Sequence, residues 1–254
     1  MNPTIRSDTP TARAIIVAAG RGVRMQSDNR KQYMTLGGLP VVSRTLQAFD
    51  RCEAIREIYL VIPRADFRFC RDTILPVARS TTPVHLVSGG TERKDSVYNG
   101  LLAADCKDEM VVIHDGVRPL IVPDQIEMCI AVAATSGAGI LAIPVKDTLK
   151  RVHTGFVIDA TVQRESLWAA QTPQAFQYEL ILEAHQAGGN HADGITDDAQ
   201  LVERLGRPVK IIPGSYMNLK ITTPEDLALA EAILSAGLIG EVDSRIQGFE
   251  GSRG

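Results

Sequence analysis

Three β-branched residues, Ile15-Ile16-Val17, run without a polar interruption into Ala18-Ala19-Gly20-Arg21-Gly22-Val23-Arg24-Met25. A short, wholly apolar β-branched run is the pattern of a strand buried on both faces, which belongs in a parallel sheet. The small residues after it let the backbone pass close to a neighbour or a ligand. A glycine-rich turn leaving a strand can also point successive N–H groups at an anion, and Arg24 and Lys31 add full positive charge nearby. The same residues equally describe a tight strand-to-helix turn with solvated cations, and the junction alone does not separate the two. Two glycine motifs are excluded. No Gly-Lys-Ser/Thr closes the loop as a Walker A sequence requires, and Met25 stands where a dinucleotide fingerprint needs a third small residue.

The chain repeats this alternation. Ile58 to Ile62, Val84 to Val87, Met110 to Ile113 and Gly139 to Val145 read as apolar strands. Between them, Leu39 to Arg51, Asp95 to Ala104 and Pro123 to Ala134 carry helical spacing, with Val97, Leu101 and Leu102 expected inward. Ala65 to Ala78 is mixed, and Pro76 predicts an early stop to any helix there. Such alternation predicts an α/β, Rossmann-like fold with a mostly parallel sheet and helices on both faces. Ligands in these folds bind at the carboxyl ends of the strands. The loops at Gly20, Gly89 and Asp115 all fall at that edge, which favours the ligand-binding reading of the opening turn.

After Val145 the alternation breaks. Thr148 to Gln163 holds two short strand-like runs around His153-Thr154-Gly155, a protruding hairpin too small to fold alone and expected to pack on something. Helices are expected at Tyr178 to Gln186 and at Ala199 to Leu205, the second capped by Thr196 with Asp197 and Asp198 in its first turn. Val209 to Ile212 reads as a last strand, and Thr223-Pro224-Glu225-Asp226 opens a last helix reaching Leu234. The expected organisation is a flexible leader over 1–13, a single domain over 14–234 with its arm at 148–163, and a tail over 235–254.

A formal net charge of −3 gives no support to a nucleic-acid or membrane-surface protein, so any anion site must be built from local cations. No apolar run reaches the length of a membrane span. Cys52, Cys70, Cys106 and Cys129 are scattered without a Cys-x-x-Cys pair, which suggests neither zinc nor a disulfide framework but reduced thiols of a cytoplasmic enzyme. Asp115 is the most informative carboxylate, because the Val111-Val112-Ile113 strand presents it at the ligand edge. There it can hold Mg²⁺ and bridge it to phosphates, or simply accept backbone amides in a turn. His114 reads as a strand-end structural residue. Arg118 reads as a site-lining phosphate contact or an ion-pair partner of Asp115.

Taken together these motifs resemble a family. The loop from Ala18 to Met25 is similar to the signature loop of sugar-nucleotide pyrophosphorylases and related nucleotidyltransferases. Lys31-Gln32-Tyr33, Gly89-Gly90-Thr91-Glu92-Arg93, His114-Asp115 with Arg118-Pro119, and Asn218 through Lys220 to Asp226 resemble cytidylyltransferases that activate polyol phosphates. Pro144 to Arg151 and Arg164-Glu165-Ser166-Leu167-Trp168 narrow the resemblance to the 2-C-methyl-D-erythritol 4-phosphate cytidylyltransferases of the non-mevalonate isoprenoid pathway. It runs from about Ala14 to Leu234. Two positions depart from the family pattern: Arg30 stands where proline is frequent, and Gly116-Val117 replaces a frequent Ala-Ala. The second brings the chain nearer to ribitol-5-phosphate cytidylyltransferases, the closest alternative. A non-catalytic nucleotide-binding regulatory protein is the alternative of a different class.

The resemblance implies attack of a polyol phosphate on the α-phosphate of CTP, with Mg²⁺ bound at Asp115. It implies that Arg24 and Lys31 neutralise the triphosphate and that Arg164 and Lys220 hold the attacking phosphate. Asp147, Thr148 and Thr172 would meet the polyol or its phosphate. The CTP slot would be formed by Ala18, Ala19, Gly20, Gly22 and Gly90 with Ser96, although the Ser96 hydroxyl is nearly as well suited to bonding its own helix. The hairpin would embrace a second subunit in a homodimer and bring Arg164 near the partner's site.

Overall fold

The computed structural model describes residues 10–20, 30–107, 109–188 and 194–239. Gly22 and Arg24 lie outside the described residues, as do most of the expected leader and tail. The chain enters the sheet on β1 (Ala12–Val17). Short strands β2 (Thr35–Leu36) and β3 (Leu39–Pro40) precede α1 (Val41–Asp50), which buries Val42, Leu46 and Phe49. After β4 (Ile55–Ile62) the mixed segment is helical in pieces: α2 (Phe67–Phe69), a π turn over Cys70–Ile74, and α3 (Leu75–Ala78). Pro76 does not stop it early. It sits in the first turn of α3, where the missing N–H has no helical partner to lose, and the left-handed Arg79 ends the helix instead.

β5 (Val84–Ser88), α4 (Arg93–Ala104), β6 (Met110–Asp115), α5 (Pro123–Ser136) and β7 (Ala138–Pro144) continue the alternation. On α4 the buried stripe is Val97, Gly100, Leu101 and Ala104, spaced for one helical face. Leu102 lies off that stripe and is 52% exposed, contrary to expectation. The hairpin is β8 (Leu149–His153) and β9 (Val157–Val162), a two-stranded sheet of its own. Among the described residues nothing packs over its apolar side chains: Phe156 at its tip is 95% exposed, and Val152, Val157 and Ile158 are also exposed.

β10 (Trp168–Gln177) follows, then α6 (Tyr178–Gly188), α7 (Ala199–Arg204), β11 (Lys210–Pro213) and α8 (Pro224–Ser235). Thr196 does not cap α7. Asp197 Oδ1 accepts the Gln200 N–H at 3.1 Å, while Thr196 turns its own N–H to Gln200 Oε1. Thr223 and Asp226 do form the reciprocal cap of α8, the geometry expected of a threonine three residues before an acid.

The seven-stranded sheet runs β11-β7-β10-β6-β1-β4-β5, with β10 antiparallel to both its neighbours and every other pairing parallel. Ile15, Val61, Val111, Ile113 and Phe176 point to the side covered by α4, α6 and α7. Ala14, Ile16, Leu60, Ile62 and Val112 point to the side covered by α1, α3 and α5. Burial on both sides explains the unbroken apolar strands. A smaller cluster joins Leu36, Val41 and Val117 to Ile221, Ala230 and Ile233 of the α8 region. The chain leaves β1 for β4 and β5 on one side and returns to β6 on the other. The carboxyl ends of β1 and β6 therefore flank the topological switch point, where such sheets open a crevice.

Candidate active site

A cavity of about 710 Å³ occupies that crevice, within the range of ordinary ligand pockets. Its floor is the loop after β1. The Ala18 N–H donates to Val61 O at 2.8 Å, and its carbonyl accepts Gln32 Nε2 at 2.8 Å. Gln32 is 1% exposed, so it fixes the loop from inside while neighbouring Lys31 lines the cavity. The turn carrying both is tied down by Asp66, which accepts the Tyr33 hydroxyl at 2.9 Å and pairs with Arg30 at 2.8 Å. The arginine that departs from the family pattern thus anchors the turn that presents Lys31.

The glycines act in two ways. A Cβ added at Gly20 would meet nothing within 4 Å, so the backbone there is open to the cavity. At Gly89 it would lie 2.4 Å from Ala19 Cβ, and at Gly90 2.3 Å from Asp95 Cβ, so these two permit the loops to close on each other. The Ser96 hydroxyl accepts the Gly90 N–H at 3.0 Å and donates to Glu92 O at 3.1 Å. It therefore shapes the wall and satisfies its own helix at once.

Asp115 ends β6 at the rim. Its Oδ2 lies 2.8 Å from Lys220 Nζ and 3.7 Å from Arg118 Nε, and its Oδ1 lies 3.2 Å from Arg93 Nε. Burial opposes ionisation of this carboxyl, but the Arg93, Lys220 and Arg118 charges outweigh it and hold the group well below the usual carboxylate range. Arg118 is its ion-pair partner and also donates to Asn218 O at 2.7 Å. Lys220 is placed by the same segment, since buried Asn218 donates to Thr172 O at 2.8 Å.

Behind Asp115, His114 is fully buried and neutral, burial having pushed its pKa down to about 3. The Arg118 carbonyl 3.1 Å from Nε2 can only accept, which puts the proton on that nitrogen. Nδ1 then accepts the Thr172 hydroxyl at 3.1 Å, and Thr172 Oγ1 in turn accepts the Asp115 N–H at 3.0 Å. Thr172, expected at the substrate, is thus buried behind the carboxylate.

Asp147, Thr148 and Arg164 are exposed and do not line this cavity. The Arg164 guanidinium donates to the Lys146 carbonyl at the base of the hairpin. The structure thus brings Ala18, Ala19, Gly20, Lys31, Gly90, Ser96, Asp115 and Lys220 together and leaves the hairpin set apart. Two residues without an assigned role in the sequence reading stand out: Gln32 under the loop, and Arg93, which lines the cavity and bridges Asp115 to buried Asp198 at 2.8 Å. Both lie inside noted motifs, and charge within the Gly89 to Arg93 stretch was the available signal.

Among the described residues no cluster of three or more His, Cys, Asp or Glu side chains forms a metal cage. Asp115 and the more exposed Glu92 are the carboxylates on the cavity wall, which suits Mg²⁺, a cation commonly held by one or two carboxylates together with substrate phosphates. The chemistry such a site supports is the gathering of anions.

The 2-C-methyl-D-erythritol 4-phosphate cytidylyltransferase family model matches residues 12–236. A relative of that description from Pelotomaculum thermopropionicum is 48% identical over 224 residues, 88% of this chain and 94% of the relative. One from Alkaliphilus oremlandii is 49% identical over 220 residues, 87% and 93% of the two chains. The solved 4-diphosphocytidyl-2C-methyl-D-erythritol synthase of Anaerococcus prevotii superposes with a TM-score of 0.78 at 36% identity, covering 90% of this chain and 97% of that one.

Proposed function

The chain belongs to the 2-C-methyl-D-erythritol 4-phosphate cytidylyltransferase family of nucleotidyltransferases, and we propose how its residues perform that reaction. The enzyme joins CTP to 2-C-methyl-D-erythritol 4-phosphate, giving the cytidine diphosphate alcohol and pyrophosphate, in non-mevalonate isoprenoid biosynthesis. The observation that carries the site assignment is the Asp115 carboxylate, ringed by Lys220, Arg93 and Arg118 at the edge of a glycine-walled cavity.

The physical obstacle is repulsion between two polyanions, about 4 kcal/mol for a pair of unit charges at 4 Å and an effective dielectric near 20. The attacking phosphate oxygen is already an anion, so no general base is required, and positioning with charge neutralisation does the catalysis. Lys31, with Arg24 of the signature sequence, neutralises the triphosphate and the charge that develops at the α-phosphorus. Lys220, at 39% side-chain exposure the most accessible of the three cations around Asp115, holds the attacking phosphate for in-line displacement of pyrophosphate. Asp115 would hold Mg²⁺, which would supply positive charge to offset that of the phosphates. Thr172 contributes by fixing the Asp115 backbone. Cytosine enters the slot between the Ala18-Ala19 backbone and Gly90, where Ser96 sets the wall and the close walls exclude a purine.

The exposed apolar tip of the hairpin supports a homodimer in which the arm embraces the partner. Arg164, with Asp147 and Thr148, then serves the partner's cavity, in keeping with its place outside its own. One catalytic unit over 14–234 is supported by a single sheet drawing strands from Ala12 to Pro213. Four buried free thiols support a reducing, cytoplasmic setting, and no described helix is long and apolar enough to cross a membrane. Incubation with CTP and Mg²⁺, following pyrophosphate, tests the substrate. Release with methylerythritol phosphate and not ribitol 5-phosphate is expected; turnover of ribitol phosphate alone overturns the assignment.

A further inference from the structure

Asp115 carries a charge conflict. Lys220, Arg93 and Arg118 all face it, at 2.8, 3.2 and 3.7 Å. A carboxylate so heavily neutralised is a poor ligand for one more cation. Two of the three cations are shared with other acceptors. Arg118 gives Nη1 to the Asn218 carbonyl. Arg93 is divided between two carboxylates, with Nη1 2.8 Å from Asp198 Oδ2 and Nε 3.2 Å from Asp115 Oδ1.

The shorter contact goes to Asp198, which is 1% exposed and so attracts the guanidinium with little solvent screening. The position of Asp198 is fixed by its surroundings. Its N–H and that of Ala199 both donate to Gln174 Oε1 at 3.1 Å, and its Oδ1 lies 3.5 Å from His185 Nε2 on α6. Burial opposes its ionisation, but Arg93 and His185 outweigh that and keep it below its usual range.

We propose that Asp198 is a positioning residue that draws the Arg93 guanidinium partly off Asp115, leaving that carboxylate enough charge to hold a divalent cation with CTP. Asp198 does not line the cavity; it acts through Arg93. The inference rests on the reading of Asp115 as the metal ligand.

The test reads metal binding without turnover. Mn²⁺ is titrated into the enzyme with CTP and no polyol phosphate, and followed by electron paramagnetic resonance against Mn²⁺ bound to CTP alone. Asp198→Asn keeps the shape and removes the charge, and it is expected to weaken Mn²⁺ binding by about tenfold, the scale of lost outer-shell partners. CTP affinity without metal is not expected to fall, and Asp198→Glu is expected to recover most of the loss. If Asp198→Asn does not fold, the double variant Arg93→Gln/Asp198→Asn leaves neither charge of the pair buried alone. It also frees Asp115 from the guanidinium, so Mn²⁺ is expected to bind at least as tightly as in the unaltered enzyme; weaker binding overturns the proposal. Unaltered Mn²⁺ binding in Asp198→Asn, with binding lost in Asp115→Asn, overturns the role of Asp198 and leaves Asp115 as the metal ligand. Unaltered binding in Asp115→Asn removes the metal reading and this inference together.

Discussion

The Lys220 ammonium lies 2.8 Å from Oδ2 of Asp115, so a basic residue from the segment before α8 closes on an acid at the end of β6 across the mouth of the cavity. A lysine kept there by its ion pair can turn to an incoming phosphate without crossing the site. Lys220→Ala is expected to lower kcat by about 10²-fold, the scale of losing one charged donor to a transition state. CTP affinity should change far less. Steady-state kinetics with calorimetric CTP binding separate the two, and equal losses in both would mean that Lys220 only binds nucleotide.

His114 sets an acid-side limit on stability. Its pKa is pushed down to about 3 from an ordinary value of 6.5, so below 6.5 the unfolded chain takes a proton that the native chain refuses. Stability from the neutral ring is therefore complete above 6.5 and falls as pH drops towards 3. The loss is about 1.4 kcal/mol per pH unit within that window. His114→Gln removes the titration, so denaturant unfolding between neutral and mildly acidic pH should show a shallower loss of stability than in the unaltered enzyme. The same slope in both would assign the acid sensitivity to other groups.

Where local pattern decides an element, the sequence was readable. β1 and β6 are short β-branched runs, and Thr223 with Asp226 spells out a helix cap. β10 was not readable. Trp168-Ala169-Ala170-Gln171-Thr172-Pro173-Gln174 has neither alternation nor β-branched density, and it joins the strand because β7 pairs with Trp168 to Ala170 and both β6 and β7 pair with the chain from Gln174 on. The part played by Arg93 was hidden for a related reason. Its two carboxylate partners lie 22 and 105 residues further along the chain, a distance at which no sequence spacing reveals a pair.

The close approach of Gly89 to Ala19 makes the proposed nucleotide slot sensitive to one methyl group. A Cβ at Gly89 would sit 2.4 Å from Ala19 Cβ and 3.2 Å from Ser96 Oγ, so the loop after β1 must shift. Overpacking of this kind costs about 1–3 kcal/mol where it cannot be relieved. Gly89→Ala is expected to raise the KM for CTP by about fivefold if about 1 kcal/mol, half of a mid-range cost, falls on the bound state. The KM for the polyol phosphate should be little changed. A Gly89→Ala enzyme with unaltered CTP kinetics would show that the slot does not depend on this contact.

The hairpin and its base give a sharper test of assembly than molecular mass alone. Phe156 is 95% exposed at the tip, and Arg164 bonds the Lys146 carbonyl at the base without lining its own cavity. If Arg164 acts across the dimer, two damaged subunits can repair one another. A Lys31→Ala subunit keeps a sound arm, and an Arg164→Ala subunit keeps a sound cavity. Each is expected to be nearly inactive alone. In their mixed dimer one of the two sites joins the sound cavity to the sound arm. Random pairing of equal amounts makes half of the dimers mixed, so about a quarter of all sites should be intact in a two-fold symmetric assembly. Denaturing and refolding the two variants together, then assaying pyrophosphate release, measures this recovery. Phe156→Asp in both chains should abolish it while shifting light scattering to monomer. A refolded mixture that forms dimers yet recovers no activity would place Arg164 in the service of its own subunit.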